Sequence, residues 1–348
     1  MPPASKPISP RSRPGSPRRP TKRFISRHPV WQSGAKAGRK PIPAGPPDGG
    51  GPIWKGNLET MRIAAVYDPD GKIFGTLQNN RFRPLLIGGS VVRDLRQVIS
   101  LVGERPNALE HGAPLPLDGV KLAAPVGPLA KNVICVGKNY HDHAQEFARS
   151  GVDLSGDKQE VPADPVVFTK AATSLADPFQ AIPASSDPTH SVDYEGELGV
   201  VIGRRCKNVK RAAALGCVFG YTIVNDVSAR TVQQRHRQWF LGKSLDGFCP
   251  VGPWLVTRDE FGEPDAQELA TYVNGERRQF ARLRDMIFDV GAIIETVSAY
   301  VTLEPGDLIA TGTPAGVGIG FKPPRYLVPG DVVRISISGI GELTNPIA

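Results

Sequence analysis

The feature that most constrains this chain is a series of short β-branched runs that begins near Lys131. V-I-C-V-G, P-V-V-F-T, L-G-V-V-I-G, Y-T-I-V-N-D, G-P-W-L-V-T, D-L-I-A-T-G and V-V-R-I-S-I follow one another between Gly, Pro and Asp turns. Each run has strand length and composition. Few helical patterns intervene, the strongest being Arg284–Val301. Parallel neighbours need long, usually helical, crossovers, so these runs must pair mainly antiparallel. The fold expected is β-rich α+β with a mainly antiparallel core. Upstream, Arg62–Tyr67 and Lys72–Leu77 read as strands and Val91–Leu101 as a helix. They predict a small N-terminal α/β subdomain over residues 61–126, ahead of a larger one over 127–348.

The formal charge of +8 points first to nucleic acid or a membrane surface, but its distribution argues otherwise. Residues 1–60 hold 12 Lys and Arg against Asp48 and Glu59, so of 42 basic and 34 acidic residues the other 288 keep 30 and 32. The body is slightly acidic. The leader, rich in Pro, Ser, Gly and Arg, lacks apolar periodicity and is expected to be disordered. It has no apolar core of a secretory signal, and its Pro density opposes the amphipathic helix of a mitochondrial transit peptide. The expected location is cytoplasmic, with the mitochondrial matrix as the alternative, and Met61 is a candidate functional start. No apolar run approaches the ~20 residues of a membrane span. Cys135, Cys206, Cys217 and Cys249 form no C-x-x-C pair, and all four are expected to be reduced core residues.

Chemistry enters at D-Y-E-G-E-L-G-V-V-I-G, residues 193–203. A strand sends alternate side chains to one face, so Asp193, Glu195 and Glu197 point together at the mouth of a buried run. Mg²⁺ and Mn²⁺ take hard oxygen ligands, and two or three carboxylates suffice. Glu195 and Glu197 supply two, and Asp226, ending Y-T-I-V-N-D, is the third candidate. The competing reading pairs these acids with Arg204 or Arg230. In V-G-K-N-Y-H-D-H-A-Q-E, a helix from His141 would set His143 and Glu146 on one face, as a carboxylate-oriented general base requires. A surface His–Glu pair is the bland alternative. F-L-G-K-S imitates a P-loop but has Arg237 where the first Gly belongs. Lys243, among apolar residues, instead needs an anion such as a substrate carboxylate or Asp246. The turn T-G-T-P-A-G-V-G, residues 311–318, offers backbone N–H groups and hydroxyls to a carboxylate.

Together with G-Y-T-I-V-N-D-V-S-A-R and G-K-S-L-D-G-F-C-P-V-G-P, these segments resemble the fumarylacetoacetate hydrolase family, in its order and over most of residues 131–345. The resemblance implies a twisted β-sheet roll, often behind a small N-terminal domain, and commonly a homodimer. It implies that Glu195, Glu197 and Asp226 ligate one Mg²⁺ or Mn²⁺ ion per subunit, and that His143 and Glu146 activate water. It places Lys243 near the substrate oxygens, with Arg230, Gln233 and Thr313 as substrate contacts. Fumarylacetoacetase itself has a fourth, aspartate ligand where this chain reads N-Y-H-D-H, so the three-carboxylate type is expected.

The implied substrates are 2-oxo acids. Hydrolysis of an acylpyruvate such as fumarylpyruvate ranks first, because the His–Glu pair is intact. Oxaloacetate decarboxylation ranks second and isomerisation of a hydroxy-dienedioate third. Two non-enzyme readings stand beside these. One is phosphate binding by the basic leader, opposed by an acidic body with no recognition motif. The other is a metal-binding scaffold without chemistry, opposed by His143, Glu146 and Lys243.

Overall fold

The computed structural model describes residues 61–104, 109–149, 161–236 and 238–348, and the expected disordered leader lies outside the described residues. A large mixed sheet dominates. Its principal strands are β1 (Arg62–Asp68), β2 (Gly71–Gln78), β3 (Arg81–Ile87), β4 (Val133–Gly137), β5 (Val166–Lys170), β6 (Gly196–Ile202), β7 (Val218–Asn225), β8 (Cys249–Thr257) and β11 (Leu308–Ala310). They run in the order β3-β2-β1-β8-β7-β6-β11-β4-β5. Along this path all pairs are antiparallel except β11 with β4. The β-rich, antiparallel-dominated α+β class read from the strand series is the class observed. The N-terminal meander is continuous with the body, because Arg62 and Ile63 of β1 pair with Val256 and Leu255 of β8.

A second antiparallel sheet lies against the first. It is built from β9 (Glu268–Val273), β10 (Glu276–Arg282), β12 (Val332–Ile337) and β13 (Gly341–Pro346), in the order β10-β9-β12-β13. Between the sheets, Leu198, Val200, Tyr221 and Ile223 share a core with Leu269, Ile335 and Leu343. On the opposite face of the large sheet, Val201, Val224 and Leu255 pack with Leu95 and Val98 of helix α1 (Leu95–Glu104). Neighbouring residues of one strand therefore enter different cores. That is why these strands read as continuous apolar runs and not as alternations.

Two local expectations are corrected. The helical pattern at Arg284–Val301 yields a helix only over Val290–Tyr300, because Asp289 caps it by accepting from Ala292 N at 2.7 Å. The earlier part closes as a separate 3₁₀ turn over Leu283–Asp285. The cysteines divide: Cys135 and Cys249 are free and buried, as expected, but Cys206 and Cys217 form a disulfide. Cys206 lies just beyond the end of β6, and Cys217 comes just before β7 begins. The hairpin returns their Cα atoms to 6.6 Å, within disulfide reach, which a spacing without C-x-x-C conceals.

Candidate active site

Strands β7, β11 and β4 end, and β6 begins, on the same side of the large sheet, and the candidate residues gather there. Gly196 of β6 pairs with Asn225 of β7. The same register sets Asp226 opposite Glu195, with Asp226 N donating to Glu195 O at 2.8 Å. Glu197 projects to the same side as Glu195. One ligand atom from each of Glu195, Glu197 and Asp226 lies within 4.8 Å of the others, and all three residues are buried. Beside them β11 runs out into the 311–318 turn, where Gly312 N donates to Glu197 Oε2 at 2.8 Å. Gly312 has φ +103°, and a Cβ there would stand 2.6 Å from Asn139 Cβ, so the turn needs glycine at this point.

The acids have basic company. Lys243 Nζ lies 2.6 Å from Glu195 Oε2 and 2.7 Å from Asp226 Oδ2, so Glu195 and Asp226, not Asp246, are its partners. Arg230 Nη1 is 2.6 Å from Glu195 Oε1, and Arg230 Nε is 2.8 Å from Asp193 Oδ2. The competing ion-pair reading is thus realised for Glu195 through Arg230. Lys170, fully buried at the end of β5, was missed by sequence reasoning. It stands 2.7 Å from Asp226 Oδ1, out of hydrogen-bonding alignment, so this oxygen has no directed donor. Its signal was a charged residue closing an apolar strand.

Four buried carboxyl groups (Asp193, Glu195, Glu197, Asp226) thus face three buried cations (Lys170, Arg230, Lys243), leaving one carboxyl without a cation. Among the described residues no Lys or Arg comes within ion-pair distance of Glu197. Burial raises the Glu195 carboxyl, but Lys243 and Arg230 outweigh it and hold the group at about 2. Burial, with the Asp226 and Glu195 carboxylates, pushes Glu197 well above the usual carboxylate range. Hard oxygens, an Asp226 Oδ1 without a directed donor and a Glu197 carboxyl that needs a further cation beside it to ionise fit a divalent cation.

Helix α2 (His141–Arg149) supplies the expected His–Glu pair, with His143 Nδ1 3.2 Å from Glu146 Oε2. Glu146 also accepts from Gly316 N at 3.1 Å. The glycine-rich turn therefore binds carboxylates, but they are the protein's own. Gly312 serves Glu197, Gly316 serves Glu146, and Gly318 and Ile319 serve Asp193 at 2.7 and 3.0 Å. Thr313 donates to Gly196 O at 3.0 Å and accepts from Gln279 Nε2 at 2.7 Å. Gln279, the other residue missed, joins β10 to the site, its Oε1 accepting from Gly196 N at 3.1 Å. Its signal was a lone amide two residues before inward-facing Ala281. Gln233 lies on helix α3 (Arg230–Arg235), its Oε1 3.3 Å from Arg230 Nη1.

A cleft of about 290 Å³ opens onto Glu195, Glu197, His143, Lys243, Arg230, Gln233 and Thr313. Asp226 lies beneath, bound to Lys243. Against known proteins, the C-terminal domain profile of fumarylacetoacetate (FAA) hydrolase matches residues 132–348. The chain belongs to the fumarylacetoacetate hydrolase family. It is 44% identical over 292 residues to the Bacillus subtilis protein named oxaloacetate tautomerase YisK, spanning 83% of this chain and 94% of that one. Among solved structures, a 2-hydroxyhepta-2,4-diene-1,7-dioate isomerase from Mycobacterium marinum aligns with TM-score 0.65 and 40% identity, over 83% of this chain and 98% of that one. A fumarylacetoacetate hydrolase from Exiguobacterium antarcticum aligns with TM-score 0.68 and 40% identity, over 83% and 99%. Members of this family are enzymes. No described helix is long and apolar enough to cross a membrane.

Proposed function

We propose that this enzyme interconverts the enol and keto forms of a small 2-oxo dicarboxylic acid of the oxaloacetate type, with Mg²⁺ or Mn²⁺ held by Glu195, Glu197 and Asp226. The observation that carries the reading is the buried, charge-deficient carboxylate triad opening onto a cleft beside a His–Glu pair. The choice of reaction within the family is supported by the 44% identity to the tautomerase over nearly that protein's whole length. A divalent ion held there would supply Lewis-acid polarisation of a 2-oxo acid.

The chain's own residues do the rest. Arg230 keeps Nη2 buried and without a hydrogen-bond partner while lining the cleft, a donor suited to the substrate carboxylate. Thr313, whose proton goes to Gly196 O, lines the same cleft. Glu146 accepts from His143 Nδ1, which leaves Nε2 as the basic nitrogen. Nε2 can carry the proton between the enol oxygen and C3. Lys243, charged because Asp226 and Glu195 outweigh its burial, stabilises negative charge on the oxygens.

Hydrolysis of an acylpyruvate, ranked first on sequence grounds, is the second reading. It is favoured by the same His143–Glu146 pair, which could activate water instead. Mg²⁺- and Mn²⁺-loaded enzyme should accelerate the decay of the enol absorbance of fresh oxaloacetate, and His143→Ala should lower that rate about 10²–10⁴-fold. Turnover of acetylpyruvate without any effect on oxaloacetate enol would reverse the order of the two readings.

A further inference from the structure

One wall of the cleft is made of three aromatic rings that proton transfer does not require. Phe147 comes from α2, Phe168 from β5, and Trp239 from the segment leading into the short helix Phe240–Lys243. Trp239 meets Phe147 edge-on at 5.8 Å and Phe168 edge-on at 5.1 Å between ring centroids. Its six-membered ring also lies on Gly137, where a Cβ would stand 2.4 Å from Trp239 Cζ3. The indole is therefore wedged between three elements, and the space it fills is space a substrate cannot use. Little closed space remains in the cleft beside the ring. Two ammonium groups lie against this wall, Lys243 5.1 Å over Phe168 and Lys138 5.8 Å over Phe147. They keep polar groups close to the carboxylate floor.

We propose that Trp239 is the specificity-determining residue of the site. It limits the substrate to a compact 2-oxo acid by blocking the volume that a longer or bulkier group beyond C3 would occupy. This rests on the 2-oxo acid reading above. Phe168 and Phe147 serve other roles, stacking under Lys243 and sharing a helix with His143. Trp239 is half-buried, and the bond it gives the site, Lys243 N to Trp239 O at 3.0 Å, is made by its backbone and survives substitution. Removing the indole should open a ring-shaped apolar space beside the floor.

The test is calorimetric binding to Mg²⁺-loaded protein of oxalate, which presents only the 1,2-dioxygen edge, and of phenylpyruvate, which adds an aromatic ring beyond C3. In Trp239→Ala the preference for phenylpyruvate over oxalate should rise at least about tenfold, since even one methylene in an apolar pocket is worth that much. Trp239→Leu gives the same readout if the alanine variant fails to fold. An unchanged preference, with oxalate still bound by the wild type, overturns the role of Trp239 and leaves the 2-oxo acid reading standing. Failure of oxalate to bind the Mg²⁺-loaded wild type overturns both.

Discussion

Asp193, Glu195 and Glu197 alternate along one stretch, and the neighbours of each decide what it can do. Asp193 accepts from Arg230, Gly318 and Ile319, so it is saturated and has no lone pair to offer a metal. Asp193→Asn removes the charge facing Arg230. Breaking a buried pair of this kind costs about 3–5 kcal/mol, which urea unfolding should register. Glu197 is the opposite case, crowded by carboxylates with no Lys or Arg in ion-pair reach among the described residues. Glu197→Gln should leave the metal-free protein at least as stable, and should abolish both Mg²⁺ affinity and the rise in Tm that Mg²⁺ gives the wild type. Wild-type affinity in that variant would remove Glu197 from the proposed ligand set. The E-x-E pattern was legible because strand parity alone brings the two glutamates together. The different fate of Asp193 was not, because it depends on Arg230 and on backbone amides more than a hundred residues away.

At the scale of elements, α2 and the glycine-rich turn work as a pair. The turn holds Glu146 through Gly316 N, and the next stretch passes so close that a Cβ on Gly320 would stand 1.9 Å from Glu146 Oε1. A flexible carboxylate is what must move, so Gly320→Ala should fold normally and keep its metal affinity. It should lose the orientation of His143, with turnover falling toward the about 10²-fold expected when a general base is impaired. Equal turnover in Gly320→Ala and wild type would show that Glu146 does not orient the imidazole. The His143–Glu146 pairing followed once a helix was assumed to begin at His141, as it does. The late start of the helix at Val290 was readable in principle from Asp289, a favoured cap residue, but apolar periodicity ran across it. The disulfide between Cys206 and Cys217 depends on how a hairpin loop folds back, which local patterns do not carry.

For the whole molecule, every residue lining the cleft or holding its carboxylates falls between Val136 and Ile319, and β1 opens at Arg62. A chain beginning at Met61 is therefore expected to fold, bind Mg²⁺ and turn over as the full chain does, as calorimetry and the oxaloacetate assay would show. A dimer mass in light scattering at micromolar concentration is expected from the family, and a monomer mass would contradict it. The fold class was legible because strand-length runs without crossover helices leave few architectures. The joining of the N-terminal meander to the body's sheet was not, because pairing of β1 with β8 spans nearly two hundred residues. That distance has its counterpart in the turn at 312–319, which ties down carboxylates from residues 146, 193 and 197. On a ribosome those acids emerge long before the amides that hold them. The nascent chain thus carries these carboxylates without their backbone donors until residues 312–319 are made, and its pocket takes shape only as synthesis nears completion. Capture of the proposed ion would then follow translation, sealing a finished fold and not seeding it.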